Sequence, residues 1–167
     1  MKTLIFLIFI LTLNTNLAKS QNISDLSEKH YRIGIIKTIG KHMNLDRLIE
    51  TPSEHVYIFS ITLSFNATGK VDTVYFSDIM SENLKQIVNS DLDMTKAANL
   101  IDFKKKFANK LVILPIILKR ARDWRINNQD EFINGILTIW PKLKLEDKLK
   151  PVVFLDPYVN YYTRIIN

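Results

Sequence analysis

The sequence feature that most constrains the fold is a pair of strand-like runs, residues 56–65 and 71–77, joined by the turn residues 66–70. In the first run, large apolar side chains alternate with smaller ones, a period of two that is typical of a half-buried strand. Gly69 in the turn can adopt a positive φ without steric cost. The sequence therefore predicts an antiparallel hairpin. Because two strands alone are marginally stable in water, further strands and helices must cover its aromatic side, which carries Tyr57, Phe59, Ile61, Leu63 and Phe65.

The remaining residues predict the other elements of an α+β domain. The run LVILPIIL at 111–118 is apolar and rich in β-branched residues, which predicts a third strand ending near residue 120. Pro115 cannot donate to a ladder, so we expect it at a bulge or a free edge. We predict an antiparallel sheet built on the 56–77 hairpin and the 111–120 strand, with helices packed on one face. Apolar periodicity places these helices at 24–39, 44–50, after Ser81, at 94–108 and after Asp130. A charged connection at 142–150, a short strand at 152–155 and a tail without a clear element complete the chain.

The first twenty residues have the pattern of a secretory signal peptide. Lys2 precedes an apolar run at 4–13, and Ala18 and Ser20 supply the small residues that signal peptidase reads. We expect cleavage before Gln21, which leaves residues 21–167 as a single α+β domain that is periplasmic or secreted. An uncleaved anchor is the alternative, although the run is shorter than the ~20 residues of a membrane span. No later segment reads as a span. The absence of cysteine excludes disulfides and thiol catalysis.

The phrase FSITLSFNATGKVDTVYFS, followed by helices and then LVILPIIL, resembles the TonB C-terminal domain over roughly residues 56–120. That resemblance implies a hairpin, a helix and a third apolar strand in this order. The expected cleavage of the N-terminal segment and the lack of a proline-rich spacer mean that the energy-transducing role of TonB is not implied. Overall, the chain is similar to small exported proteins of Bacteroidota.

No set of residues forms a recognisable catalytic motif or cofactor motif. His30, His42 and His55 lack metal-ligand spacing, and no nucleophile motif or glycine-rich phosphate loop is present. We therefore predict neither a cofactor nor a metal site. A small carboxylate-dependent hydrolase is one alternative, and it would need convergence of two carboxylates from the densest acidic group, Asp72, Asp78, Asp91 and Asp93. Turn and helix-cap roles explain the same positions.

The most concentrated basic stretch follows the third predicted strand and has an aromatic residue within it. Arginine and tryptophan side chains are suited to gripping phosphates, sugars or acidic partners. A solvated strand end that protects a sheet edge explains the same residues. We predict a non-catalytic exported binding protein that acts through a sheet edge or this basic patch, with an envelope protein or an anionic surface, not nucleic acid, as partner. An accessory subunit of an envelope complex is the other alternative. The predicted binding residues are Lys119, Arg120, Arg122, Trp124 and Arg125.

Overall fold

A five-stranded sheet forms the centre of the computed structural model, which describes residues 28–103 and 105–163. The strand order is β2–β1–β3–β4, and β5 pairs with the same edge of β3 further along that strand. β1 pairs antiparallel with β2 and β3, whereas β4 and β5 run parallel to β3. The predicted hairpin and third strand are confirmed. The strands are β1 Val56–Phe65, β2 Val71–Phe76, β3 Leu111–Arg120, β4 Val152–Phe154 and β5 Tyr158–Tyr162.

Short helices precede, interrupt and follow the strands, which confirms the α+β class. The N-caps of α2 and α3 are Asn44 and Ser81, whose side chains accept hydrogen bonds from the backbone of Arg47 and Leu84. None of the described helices has the length and apolar content needed to cross a membrane. The predicted signal peptide lies outside the described residues. The helices are α1 (28–40), α2 Leu45–Glu50, α3 Glu82–Val88, α4 Thr95–Ala98 and α5 Gln129–Leu137, and a 3₁₀ turn spans Leu145–Asp147.

The main core lies between one face of the sheet and helices α1 to α4. The aromatic side of β1 is buried there, as predicted, together with the even-numbered residues of β3. The two strands share this face because Tyr57 pairs with Leu118 and Leu63 with Val112. Ile35 and Ile39 of α1 and Ile87 of α3 are almost completely enclosed against them.

The opposite face of β1 is also covered, and this differs from the expected arrangement of helices on one face only. α5 packs there at Gly135, where a Cβ atom would lie 2.4 Å from Ile58 Cγ2. The polar residues Ser60, Thr62 and Ser64 on this face are buried. β1 is therefore a central strand with two buried faces, although its sequence alternates like a strand with one.

Pro115 lies within β3 without breaking its pairing with β1. It is opposite Ser60, whose N–H and carbonyl both bond to Ser77 on the other side of β1. Ser60 and Pro115 therefore form a non-hydrogen-bonded pair, and the missing N–H of Pro115 would point to the other edge of β3. That edge is interrupted there, between the end of β4 and the start of β5. The expected free edge is thus a gap between two short strands.

Two further predictions were wrong in detail. The helix predicted at 94–108 ends at Ala98, and the side chain of the next residue, Asn99, bonds both the N–H and the carbonyl of Val71 at 2.8 Å. The segment after it includes Lys105 and Asn109 at positive φ, which an α-helix cannot accommodate. The helix predicted after Asp130 instead begins at Gln129.

We expect Gly69→Ala to lower the free energy of unfolding by about 1–3 kcal/mol. Gly69 has φ +81°, and an added Cβ would lie 2.8 Å from the Lys105 Cα. Chemical denaturation measures the loss. Gly40→Ala is the matched control, because a Cβ at Gly40 meets nothing within 4 Å. Equal losses in the two variants would contradict the strain assigned to the hairpin turn.

Candidate functional site

The predicted binding residues lie where β3 and β5 end together. Ala121 donates its N–H to the carbonyl of Tyr162 at 2.9 Å, so the loop after β3 starts beside the end of β5. Arg122, Trp124 and Arg125 are exposed on this loop, and Trp124 is 93% exposed. Lys119 is half-buried at the end of β3. We call these four residues the basic loop.

Arg120 points away from the basic loop. Its guanidinium Nη2 donates to the backbone carbonyl of Thr51. The guanidinium also lies near the hydroxyl of Tyr162, and burial of that hydroxyl is the main reason why its pKa is raised. Alternation along the strand explains the separation, because Lys119 and Arg120 point to opposite faces of the sheet. Arg120 therefore fixes the loop before β1 to the end of β3, and the basic loop consists of the other four residues.

β4 and β5 form an open edge of the sheet. The carbonyl of Pro151 accepts from Leu111, Leu155 donates to Ile113, and Tyr162 accepts from Ala121, so these alternate residues face β3. In each strand the intervening residues direct their N–H and carbonyl away from β3. No strand within the described part of the chain pairs with these outward groups. They belong to Val152 and Phe154 of β4 and to Val159 and Tyr161 of β5.

The same outward residues carry exposed apolar side chains. Because they lie opposite the odd-numbered residues of β3, their side chains point to the α5 side of the sheet. Phe154 packs near Trp140, with ring centroids 5.8 Å apart, yet it remains 53% exposed, and Tyr161 is 62% exposed. We call this surface the apolar edge, comprising Trp140, Val152, Phe154, Val159 and Tyr161.

α1 closes the gap between the two parts of the apolar edge. The N–H of Asp156 donates to Glu28 Oε1 at 2.9 Å, and the Asp156 carboxylate lies 3.5 Å from Arg32 Nη1. Pro157 follows and has no N–H to offer. β5 is therefore the longer open strand, and its C-terminal end meets the basic loop.

Several polar side chains are buried together beneath the 3₁₀ turn. Asp147 Oδ1 accepts from the Ser64 hydroxyl at 2.7 Å and lies 2.8 Å from Lys150 Nζ, and Oδ2 accepts from the Tyr75 hydroxyl. Burial and the bond to Asp147 raise the pKa of Tyr75 to about 12. Burial alone would raise the pKa of Asp147, but the bonds from Lys150, Tyr75 and Ser64 hold it below its ordinary value. We call these four residues the Asp147 cluster.

The Asp147 cluster resembles a serine–lysine pair in composition, but it lacks the geometry for nucleophilic attack. Lys150 Nζ lies 2.7 Å from Ser64 Oγ, while Ser64 is completely enclosed. Because Ser64 is enclosed, no substrate can reach its hydroxyl. The cluster therefore anchors the 142–150 segment to the sheet, and the charged surface connection predicted there has a buried residue at its centre.

The acidic residues considered for hydrolysis are all exposed. Asp93 accepts from the backbone N–H of Thr95, and Asp72 contacts Asn66 and Lys150. Asp78 and Asp91 lie on connecting segments after β2 and after α3. Within residues 28–103 and 105–163, no group of three histidine or acidic side chains is placed to hold a metal ion.

No protein-family model, curated protein or solved structure matches this chain. The resemblance to the TonB C-terminal domain therefore stays a prediction.

Proposed function

We propose that this protein is an exported, non-catalytic binding protein that takes up an extended segment of a partner polypeptide along β5. The observation that carries the proposal is the combination of outward backbone groups and exposed apolar side chains at Val159 and Tyr161. Natural proteins usually shield such edges with charge, proline or a covering element. In the described part of the chain, the element that covers this edge is α1, at Asp156.

Backbone pairing supplies the affinity in strand addition, and pockets for alternate side chains supply the specificity. Along β5, every second residue offers a free N–H and carbonyl to an incoming strand. Alternate side chains of that strand would lie on the same side as Phe154 and Tyr161, so valine or similar residues suit these positions. An accessory subunit of an envelope complex would use the same surface, since exposed apolar patches mark interaction sites.

The positive charge at the end of β5 adds a second requirement for the partner. The chain has a net charge of +6, and Lys119, Arg122 and Arg125 lie at the C-terminal end of β5. A partner segment with acidic residues at this end would gain favourable contacts and faster association. The partner expected is therefore an extended segment with alternating apolar residues that is acidic where it meets the basic loop.

We expect a short synthetic peptide of alternating valine and serine, with aspartates at one end, to protect the amides of Val159 and Tyr161 from hydrogen exchange. These amides point outward and would gain partners in the added strand. NMR-detected exchange of the full chain, with and without the peptide, measures this protection. A peptide with lysines in place of the aspartates should bind more weakly. The difference in affinity between the two peptides should shrink as salt is added.

Two proline variants provide the control. Tyr161→Pro removes an outward N–H of β5 and leaves the residues that face β3 unchanged, so binding should fall. Val74→Pro removes an outward N–H of β2, at the opposite edge. Because Val74 also packs against the main core, a melting curve must show that this variant is folded, and its binding should then be unchanged. Protection that appears at β2, or binding that survives Tyr161→Pro, would show that the partner does not add to β5.

A further inference from the structure

Three highly exposed leucines lie on the same side of the sheet as α5. Leu137 ends α5 and is 74% exposed, while Leu145 and Leu149 lie on either side of Asp147 in the chain and are 81% and 93% exposed. A single exposed leucine is ordinary in a folded protein, but several on one side of the molecule mark an interaction surface. We call these three residues the leucine face.

The chain between α5 and β4 runs across one side of β1. The Ser60 hydroxyl donates to the carbonyl of Ile139, and the Ser64 hydroxyl donates to the carboxylate of Asp147. Both serines lie on the side of β1 that α5 covers, because side chains two and four residues apart in a strand point the same way. Leu145 and Leu149 are therefore carried by a layer that covers this side of the sheet.

Leu137 points outward from the same layer. α5 approaches the sheet at Gly135, where an added Cβ would meet Ile58. Leu137 follows two residues later, which places it about 200° around the helix axis from this contact. The three leucines thus project away from the same side of the sheet.

The Asp147 cluster fixes the position of two of these leucines. Asp147 is buried beneath the turn and bonds Ser64, Tyr75 and Lys150. The turn cannot rotate its leucines inward without breaking these buried bonds, which would be costly. Leu145 and Leu149 are therefore held outward before any partner arrives, which lowers the entropy cost of binding.

Positive charge surrounds the two leucines of the turn. Lys142, Lys144 and Lys148 are exposed, and none of them forms an ion pair with another described residue. Glu146 is the exposed acidic residue between them, whereas Asp147 is buried and paired with Lys150. The surface that carries the leucines is therefore positive and complements an anionic partner.

We propose that the leucine face docks on the surface of an anionic lipid bilayer. Leu145 and Leu149 enter the boundary between head groups and acyl chains, and Lys142, Lys144 and Lys148 contact lipid phosphates. Basic residues that flank apolar side chains are typical of proteins that lie on a membrane surface. This docking is independent of strand addition along β5, which uses outward backbone groups.

A bilayer suits this surface better than a protein partner does. Lysine is depleted in protein–protein interfaces, because its charge is costly to desolvate there. At a membrane surface, lysine keeps its ammonium group among the head groups while its aliphatic stem covers apolar surface. Protruding leucines also need matching pockets on a protein, whereas fluid acyl chains adapt to them.

The test places a fluorescent group on the turn and measures whether it becomes immersed. Because the chain has no cysteine, Glu146→Cys provides a single position for a nitrobenzoxadiazole label in the full chain. We expect its emission to rise and shift to shorter wavelength with vesicles of equal parts phosphatidylcholine and phosphatidylglycerol. Vesicles of phosphatidylcholine alone should require about tenfold more lipid or more for the same change.

A label at a second position controls for vesicle contact made elsewhere, including by the apolar residues 4–13. Asp46→Cys also replaces an exposed acidic residue, but it lies in α2, on the opposite side of the sheet. The label at this position should not change its emission. Absence of a change at position 146, or an equal change at the two positions, would overturn the proposal.

Leucine variants of the protein labelled at position 146 test the leucines themselves. Leu145→Ser combined with Leu149→Ser should raise the lipid concentration for half-maximal change about tenfold or more. Leu100→Ser is the matched control, because Leu100 is 84% exposed and follows α4 on the opposite side of the sheet. Melting curves should show that all variants are folded, since exposed substitutions cost little stability.

Two further outcomes would contradict membrane docking. If Leu100→Ser weakened the response as much as the double variant, the bilayer would contact another surface. If soluble polyglutamate produced the same emission change at position 146, the surface would bind an acidic polypeptide rather than a bilayer.

Discussion

Asp147→Ala should lower the free energy of unfolding by about 3 kcal/mol. The side chain of Asp147 is almost fully buried and receives bonds from Ser64, Tyr75 and Lys150. Removing the carboxylate leaves two hydroxyl groups without this acceptor, and it leaves the largely enclosed ammonium of Lys150 with the more distant carboxylate of Asp72, 3.9 Å away. The loss is larger than for a surface ion pair, because the stranded groups keep their desolvation penalty. Chemical denaturation of the full chain measures it.

Glu146→Ala is the matched control, since Glu146 is the exposed acidic neighbour in the same 3₁₀ turn and should change stability by less than about 0.5 kcal/mol. Measuring the free energy of unfolding at falling pH distinguishes the loss of the Asp147 charge from the loss of its packing. The folded pKa of Asp147 is below its ordinary value of 3.8, so its contribution is complete above 3.8 and is lost as pH falls through the folded pKa. The wild type should lose stability over this range, and Asp147→Ala should lose less. Parallel pH profiles would show that the cluster carries no charge-dependent stability.

Local sequence patterns predicted the elements whose backbone conformation depends mainly on residues within the same segment. The hairpin and the 111–120 strand have the expected bounds, because alternation and β-branched content act within each segment. Gly69 takes the positive φ that the turn required, and Ser81 caps α3 as expected. The basic stretch was also located at the end of its strand, where the structure places it.

The remaining features depend on contacts between distant residues. Tyr158–Tyr162 forms β5 because it pairs in parallel with the edge of β3, beyond the gap beside Pro115. A five-residue run does not reveal which distant strand it will pair with in parallel. Asp147 lies in a charged segment that reads as surface, and its burial depends on Ser64 and Tyr75 from the hairpin. In the sequence, Arg120 belongs to the basic stretch. Only the fold shows that its guanidinium bonds the carbonyl of Thr51.

Phe65→Ala should have an effect as large as or larger than Asp147→Ala, about 3–5 kcal/mol. Phe65 is completely enclosed, and its ring lies 4.9 Å from that of Phe103 and 5.6 Å from that of Phe107. Those two rings in turn contact Tyr31 of α1, at 5.6 and 5.2 Å. Because the segment around Phe103 and Phe107 has little regular structure, side-chain packing fixes it to the sheet. Denaturation should show the loss, and amides of this segment should exchange faster.

Phe154→Ala makes the same change at a ring that is 53% exposed on the apolar edge. It removes contact with Trp140 but leaves no enclosed cavity, so it should cost less than about 1.5 kcal/mol. The two variants therefore separate the two kinds of aromatic surface in this protein. The Phe65 ring holds an irregular segment and α1 against the sheet, whereas the Phe154 ring contributes little to folding and is available to a partner. Equal losses in the two variants would mean that the apolar edge is part of the core, and the proposed strand addition along β5 would lose its basis.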